Sequence, residues 1–244
     1  MHKPASALLV LSFVACATTG LLAESAEPFG LIKIVAPEND EPVLEWRKLM
    51  VNIAAARREL EQCRSEPDRC DDAERQFVAL IKEAAGLQGR AKIEFVNERI
   101  NGEIRYTPDE TQWGMEDVWS LPIDPDEDGS LETGKGDCED YALAKYVGLH
   151  QAGVPVAKLR MVLVHDNLVD QDHAVLAVRE DDKWLILDNR WSKLIEDKEL
   201  TARFRPLFIV EETGVSLLAR SFRLNDRMVV APRNRPAAGA APSP

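Results

Sequence analysis

Gly134-Lys135-Gly136-Asp137-Cys138-Glu139-Asp140-Tyr141-Ala142-Leu143-Ala144-Lys145-Tyr146 is the stretch that decides how the chain is read. A glycine-flanked turn delivers one cysteine at the start of a helix predicted over 138–151. Tyr141, Ala142, Ala144, Lys145 and Leu149 mix small and large side chains, as expected where a helix packs closely on a sheet. Gly153-Val154-Pro155 ends it. A helix N-terminus lowers a thiol's pKa through its unpaired N–H groups and macrodipole, and the thiolate is the effective nucleophile. Gly136 permits the tight entry that exposes Cys138, whose own N–H is placed to face a developing oxyanion. The neighbouring carboxylates Asp137, Glu139 and Asp140 act the other way, because nearby negative charge raises a thiol's pKa. Either an imidazolium or a bound cation must offset them.

Downstream, the segments 158–165, 173–179, 183–188, 207–211 and 215–219 are rich in Val, Leu and Ile and broken by polar turns. They predict an antiparallel meander. Of the four histidines, His2 lies in the N-terminal leader. His150 stands twelve residues past Cys138, about three turns along the same helix at ~1.5 Å per residue, too far to reach the sulfur. His173 opens the apolar run Ala174-Val175-Leu176-Ala177-Val178 and is the expected base; His165, ending the preceding strand, is the alternative. Asp188 closes Trp184-Leu185-Ile186-Leu187, where it is expected to take the His173 Nδ1–H and set its tautomer. Asn189 is the alternative orienting group. Nucleophile, base and orienter thus fall on helix start, strand and next strand, in that chain order.

The remainder sets the context. A chain of 244 residues, 45% hydrophobic and 30% charged, suits one globular domain. Its net charge of −12 argues against nucleic acid and anionic membrane surfaces as partners. His2 and Lys3 precede an apolar stretch over 7–17 and small residues over 18–26, the layout of a secretory signal peptide (1–26). No later segment reaches the ~18–20 apolar residues of a membrane span, and a soluble product is expected over a lipid-anchored one. The domain is placed at 27–231, and the Pro/Ala/Gly-rich 232–244 reads as a disordered tail. Export changes the cysteine count. Cys16 leaves with the leader, and Cys63 and Cys70 straddle Glu66-Pro67-Asp68, so a disulfide clamping a helical hairpin is the natural pairing. Cys138 is left odd, as a reactive thiol or a partner for another chain.

Helices are predicted over 45–64, over 71–85 with Asp71-Asp72 at its start, and over 90–101. The segment 102–135 is mostly loop, with Trp113 and Trp119 expected to pack it down. Within it, Asp124-Pro125-Asp126-Glu127-Asp128-Gly129-Ser130-Leu131-Glu132 matches a calcium-binding EF-hand loop in part. Position twelve, however, is Lys135 where a bidentate Glu is required. Asp117 offers a further oxygen to either acidic group, although nothing in the spacing requires it. The class is α+β, with N-terminal helices first and the cysteine-bearing helix packed on an antiparallel sheet.

Gly136-Asp137-Cys138-Glu139-Asp140-Tyr141, Lys145-Tyr146, Asp172-His173-Ala174 and Leu187-Asp188-Asn189 together resemble the bacterial transglutaminase-like cysteine proteinases, the LapG-type periplasmic proteases. Asn97 with Asn101, residues 106–109 and residues 113–119 share that likeness. The resemblance implies a papain- or transglutaminase-like fold and a catalytic triad of Cys138, His173 and Asp188. It further implies calcium held by Asp137 and Glu139, with Asp140 as a third carboxylate. The implied substrate is a large surface adhesin cut near its N-terminus, around paired alanines, to release biofilm cells. An inner-membrane cyclic-di-GMP receptor is the implied sequestering partner. The oxyanion is expected to meet the Cys138 N–H and a donor from the preceding loop, Trp113 or Trp119. Two readings stay open beside hydrolysis: transamidation by the same three residues, and a non-catalytic calcium-dependent binding module.

Overall fold

Five helices precede or interrupt the strands in the computed structural model, which describes residues 26–36, 41–115, 118–122, 134–212, 214–219, 221–224 and 227–230. The expected signal peptide (Ala26 apart), Asp117, the acidic loop 124–132 and the tail 232–244 lie outside the described residues. The helices are α1 (Glu41–Ser65), α2 (Asp72–Ala85), α3 (Gly89–Glu103), α4 (Asp109–Trp113) and α5 (Cys138–Gln151).

Each of the first three forms for a local reason. Leu49, Ile53, Ala56 and Leu60 make one buried stripe on α1; Phe77, Leu80, Ile81 and Ala84 do so on α2, and Ile93, Val96 and Ile100 on α3. Asp71 caps α2: its carboxylate accepts the Glu74 N–H at 2.7 Å, while Glu74 accepts the Asp71 N–H at 3.1 Å. Cys63 and Cys70 are joined in a disulfide across the α1–α2 turn, as their spacing led us to expect. Every residue of α5 from Glu139 to Leu149 is buried. That helix lies between α2 and α3 on one side and the sheet on the other, which explains its lack of a polar face.

The strands are β1 (Ile32–Val35), β2 (Arg105–Tyr106), β3 (Lys135–Gly136), β4 (Leu159–Asp166), β5 (Gln171–Glu180), β6 (Lys183–Asp188), β7 (Trp191–Glu196), β8 (Phe204–Glu211), β9 (Gly214–Ala219), β10 (Ser221–Leu224) and β11 (Arg227–Val230). Seven of them form one antiparallel sheet in the order β1-β9-β8-β4-β5-β6-β7. The predicted meander therefore holds for β4 to β6 and for the β8–β9 hairpin, but not for the step from β6 to β8. β8 returns to the free edge of β4, which would otherwise present unpaired backbone groups in the core, and β9 and β1 extend that side. β7, not foreseen as a strand, closes the opposite edge.

His173 to Val178 on β5 are all buried, without alternation, because both faces of the strand are covered. Helix residues cover one face. The other meets a second apolar cluster including Val162, Val175, Ile186, Phe204 and Ile209. No helix among the described residues is long and apolar enough to cross a membrane. The architecture is α+β, with the cysteine helix laid across the centre of the sheet.

Candidate active site

Two short parallel strands aim the start of α5. Tyr106 of β2 pairs with Gly136 of β3, the Arg105 N–H donates to the Gly134 carbonyl at 2.8 Å, and the Thr107 N–H donates to the Gly136 carbonyl at 2.9 Å. Gly136 is there for space: a Cβ at that position would fall 2.6 Å from both the Cβ and Oδ2 of Asp140. Asp140 turns back to accept the Asp137 N–H at 3.3 Å, which caps the helix and leaves Cys138 as its first residue.

Cys138 and His173 line one cleft of about 430 Å³, whose other walls include Tyr106, Val169, Gln171 and Arg190. The Ala174 backbone N–H, on the strand that carries His173, faces the Cys138 sulfur and favours its thiolate. The thiol points its own proton at Glu139 Oε2, 3.1 Å away. Burial pushes the Cys138 thiol well above its ordinary value, the Glu139 charge adds to that, and the Ala174 N–H opposes both. The acidic neighbours thus act as the sequence led us to expect.

Asp188 is fully buried and lies behind His173. The contact is between Nε2 and Asp188 Oδ2, at 3.1 Å, not through the Nδ1–H expected above. The choice of ring nitrogen depends on how the imidazole is rotated on β5, which strand register does not specify. Nε2 is at ion-pair distance but off hydrogen-bond alignment. Burial alone would raise the Asp188 carboxyl, but His173 and Arg190 outweigh it and hold it at about 2. The alternatives fall elsewhere. His165 sits between Asp172 (2.8 Å from Nδ1) and Asp170 (3.1 Å from Nε2) and does not itself line the cleft, although Asp172 does, while Asn189 is one of the wall residues. Neither Trp113 nor Trp119 lines the cleft. Trp119 packs against the core, but Trp113 stands 43% exposed, so only one tryptophan holds the loop down. The expected oxyanion donor from that loop is not found on either.

Carboxylates crowd the same helix start. Ligand oxygens of Asp109, Asp137 and Asp140 lie within 4.8 Å of one another, and a second such group joins Asp137, Cys138 and Glu139. Asp109 was not singled out as a ligand in the sequence, although it closes the 106–109 stretch. Its backbone N–H donates to Asp137 Oδ2 at 3.3 Å, and its own carboxylate accepts the Val118 N–H. Asp140 Oδ1 accepts the Ser120 N–H at 2.7 Å. Burial and then the Asp137 carboxylate push Glu139 up to about 9. Burial also lifts Asp140 to about 8, although the Ser120 N–H works against it. Asp137 Oδ1 is buried without a hydrogen-bond partner. Oxygens this close, with one lacking any donor, fit a hard cation such as calcium.

Arg190 and Asn101 hold Asp188, and Asn97 holds the strand that follows it. Asn101 donates to the Asp188 carbonyl at 2.9 Å and to the Trp191 carbonyl at 3.2 Å; Asn97 donates to the Ser192 carbonyl at 2.8 Å. Lys145 is wholly enclosed two turns along α5, with its Nζ 5.9 Å from the Tyr141 ring centroid and no hydrogen-bond partner. Burial brings its ammonium down to about 7, against the opposing pull of Asp188.

A family model described as bacterial transglutaminase-like cysteine proteinase matches residues 58–204, more than half of the chain, and spans all three of Cys138, His173 and Asp188. Among solved structures, Legionella pneumophila LapG is 26% identical, with a TM-score of 0.52, over 66% of this chain and 87% of its own. Calcium-bound LapG of the same organism aligns at 26% identity with a TM-score of 0.50, over 72% of this chain and 87% of that one. EGTA-treated LapG gives 26% and 0.52, over 66% and 84%. No curated protein matches significantly. The fold is that of the transglutaminase-like proteins.

Proposed function

The chain belongs to the bacterial transglutaminase-like cysteine proteinases, and from that membership we propose that it is a calcium-dependent periplasmic cysteine endopeptidase. In this reading it cuts a large surface adhesin near its N-terminus, at paired alanines, and so promotes biofilm dispersal. An inner-membrane cyclic-di-GMP receptor holds it in check. Cys138 is the nucleophile, His173 the base and acid, and Asp188 the orienting group. The observation that carries the reading is the one cleft shared by Cys138 and His173, with Asp188 buried against the ring's far nitrogen.

With Nε2 turned to Asp188, the proton sits on Nε2 and the lone pair on Nδ1. Nδ1 takes the thiol proton as sulfur attacks the scissile carbonyl carbon. The carbonyl oxygen becomes an oxyanion beside the Cys138 N–H, which stands outside the helical ladder. As the tetrahedral centre collapses, the C–N bond breaks and His173 gives its proton to the departing amine. Water then adds to the thioester, losing its proton to His173, and the carboxylic product leaves as the thiol is re-formed.

Asp137, Glu139 and Asp140 would hold the calcium, with Asp109 beside them. The ion's chemical contribution is charge: it offsets the carboxylates that keep the thiol protonated. The calcium-bound and EGTA-treated forms of LapG support this part of the reading.

The test is incubation with an adhesin N-terminal fragment and a labelled amine, for wild type and Cys138→Ala. Cleavage by wild type alone, without amine incorporation, is expected. Incorporation of the amine would make the protein a transamidase. Full cellular effect from Cys138→Ala would make it a binding module.

A further inference from the structure

Arg190 joins two buried carboxylates, Asp188 and Asp166. Its Nε and Nη2 fork onto Asp188, at 3.2 Å from Oδ1 and 2.9 Å from Oδ2, and its backbone N–H adds a third bond to Oδ1 at 2.9 Å. The remaining nitrogen, Nη1, reaches Asp166 Oδ2 at 2.7 Å. Asp166 is fully buried, accepts the Leu168 N–H at 3.0 Å and is gripped by Arg203 at 2.7 Å. Both guanidiniums lie over the stacked rings of Trp191 and Phe204, 5.0–5.6 Å from their centroids. A row of alternating charge, His173–Asp188–Arg190–Asp166–Arg203, therefore rests on an aromatic pair. It ends at the base of the β4–β5 hairpin, whose Leu168 and Val169 are 73% and 48% exposed and whose Val169 walls the cleft.

We propose that Arg190 is a positioning residue of the peptidase reaction, fixing the Asp188 carboxylate behind His173 and anchoring that pair to the hairpin that walls the substrate cleft. The inference rests on the peptidase reading. An aspartate with only a histidine beside it is free to turn about its χ2 bond. A planar fork with two parallel N–H···O bonds removes that freedom. Sharing Oδ2 between Arg190 and His173 leaves the aspartate anionic and its plane set, so that the imidazole keeps its proton on Nε2 and offers Nδ1 to the thiol. Lysine cannot substitute, since one ammonium cannot span both carboxylates in this geometry.

The experiment compares wild type, Arg190→Gln and Arg190→Lys. It measures kcat and KM on a peptide substrate and the ring-nitrogen NMR signals of His173, assigned with His173→Gln. The expected result is a single Nε2–H tautomer in wild type and mixed tautomers in both variants. The loss in kcat should be on the order of 10²-fold, as for a misplaced catalytic group, with KM changed less than about threefold. A His173 signal unchanged in Arg190→Gln, or a loss confined to KM, overturns the proposal. If Arg190→Gln does not fold, the same readings on Arg190→Lys decide it. A wild type that hydrolyses no peptide while Arg190→Gln still mixes the tautomers would overturn the peptidase reading and uphold the positioning role.

Discussion

The side-chain amide of Asn101, on α3, donates to the main-chain carbonyl of Asp188 at 2.9 Å, so a helix from the N-terminal half fixes the backbone of the aspartate buried against His173. Asn101→Leu removes that bond and the one to Trp191. Each such bond is worth about 1 kcal/mol, and a loss of stability of about 1–2 kcal/mol is expected. Peptidase activity should fall further than stability alone explains. Denaturant unfolding alongside kcat at a temperature where the variant remains folded separates the two effects.

Gly136→Ala forces a methyl group into Asp140, whose Cβ and Oδ2 would both stand 2.6 Å away. The Asp140 carboxylate must move, giving up its bonds to the Asp137 N–H and to Ser120. Calcium-induced stabilisation, read as the rise in Tm between chelator and millimolar calcium, should shrink markedly. An undiminished rise would show that Asp140 takes no part in holding the ion.

Lys145→Met should make the protein more stable, because an enclosed ammonium without a partner costs more than a thioether of similar shape. The pH dependence has a definite sign. The folded state holds the Lys145 proton only to about pH 7, whereas the unfolded chain keeps it to the ordinary value of 10.5. Between these limits the unfolded state binds more protons, so the stability of wild type rises with pH. The gap between Lys145→Met and wild type should be widest below pH 7 and close towards pH 10. A gap constant over that range would contradict the assignment.

Calcium should speed the alkylation of Cys138 by iodoacetamide at neutral pH, since offsetting the charge of Glu139 and Asp137 favours the thiolate. Chelation should slow both alkylation and peptide cleavage. Equal rates with and without calcium would refute the ion's role at this helix start.

Replacing both Cys63 and Cys70 by serine removes the clamp between α1 and α2. The loop it closes is short, with a sequence separation of 7, and the chain-entropy estimate for such a loop is about 2–3 kcal/mol. Unfolding should become easier by about that amount, with little change in the alkylation rate of Cys138, which lies on another helix. Mass spectrometry of non-reduced wild-type peptides should show the two joined.

The sequence carried the elements closest to the chemistry because those signals are local. A glycine turn, a cysteine and a mix of small and large side chains mark α5, and β5 announces itself by the apolar run Ala174 to Val178 that follows His173. What it did not carry are relations settled between distant segments. The return of β8 to β4 depends on which sheet edge lies open, and no residue of 204–211 encodes that choice. β7, Trp191-Ser192-Lys193-Leu194-Ile195-Glu196, is half polar because it is an edge strand, and so it lacks the apolar run that marks the central strands. The imidazole nitrogen facing Asp188, the approach of Asp109 to Asp137 and the span of Arg190 to Asp166 all depend on side-chain rotation after the sheet has closed. Trp113 shows the converse: an aromatic in a loop was expected to pack and stands in solvent, because α4 presents it away from the core.

With Cys63 and Cys70 joined, Cys138 is the one free thiol among the described residues. In a protein whose Cys16 is removed or replaced, a thiol-directed fluorophore therefore counts accessible Cys138 centres. Slower labelling on adding a substrate mimic or a sequestering partner would report occupancy of the cleft directly, without any knowledge of what is cleaved.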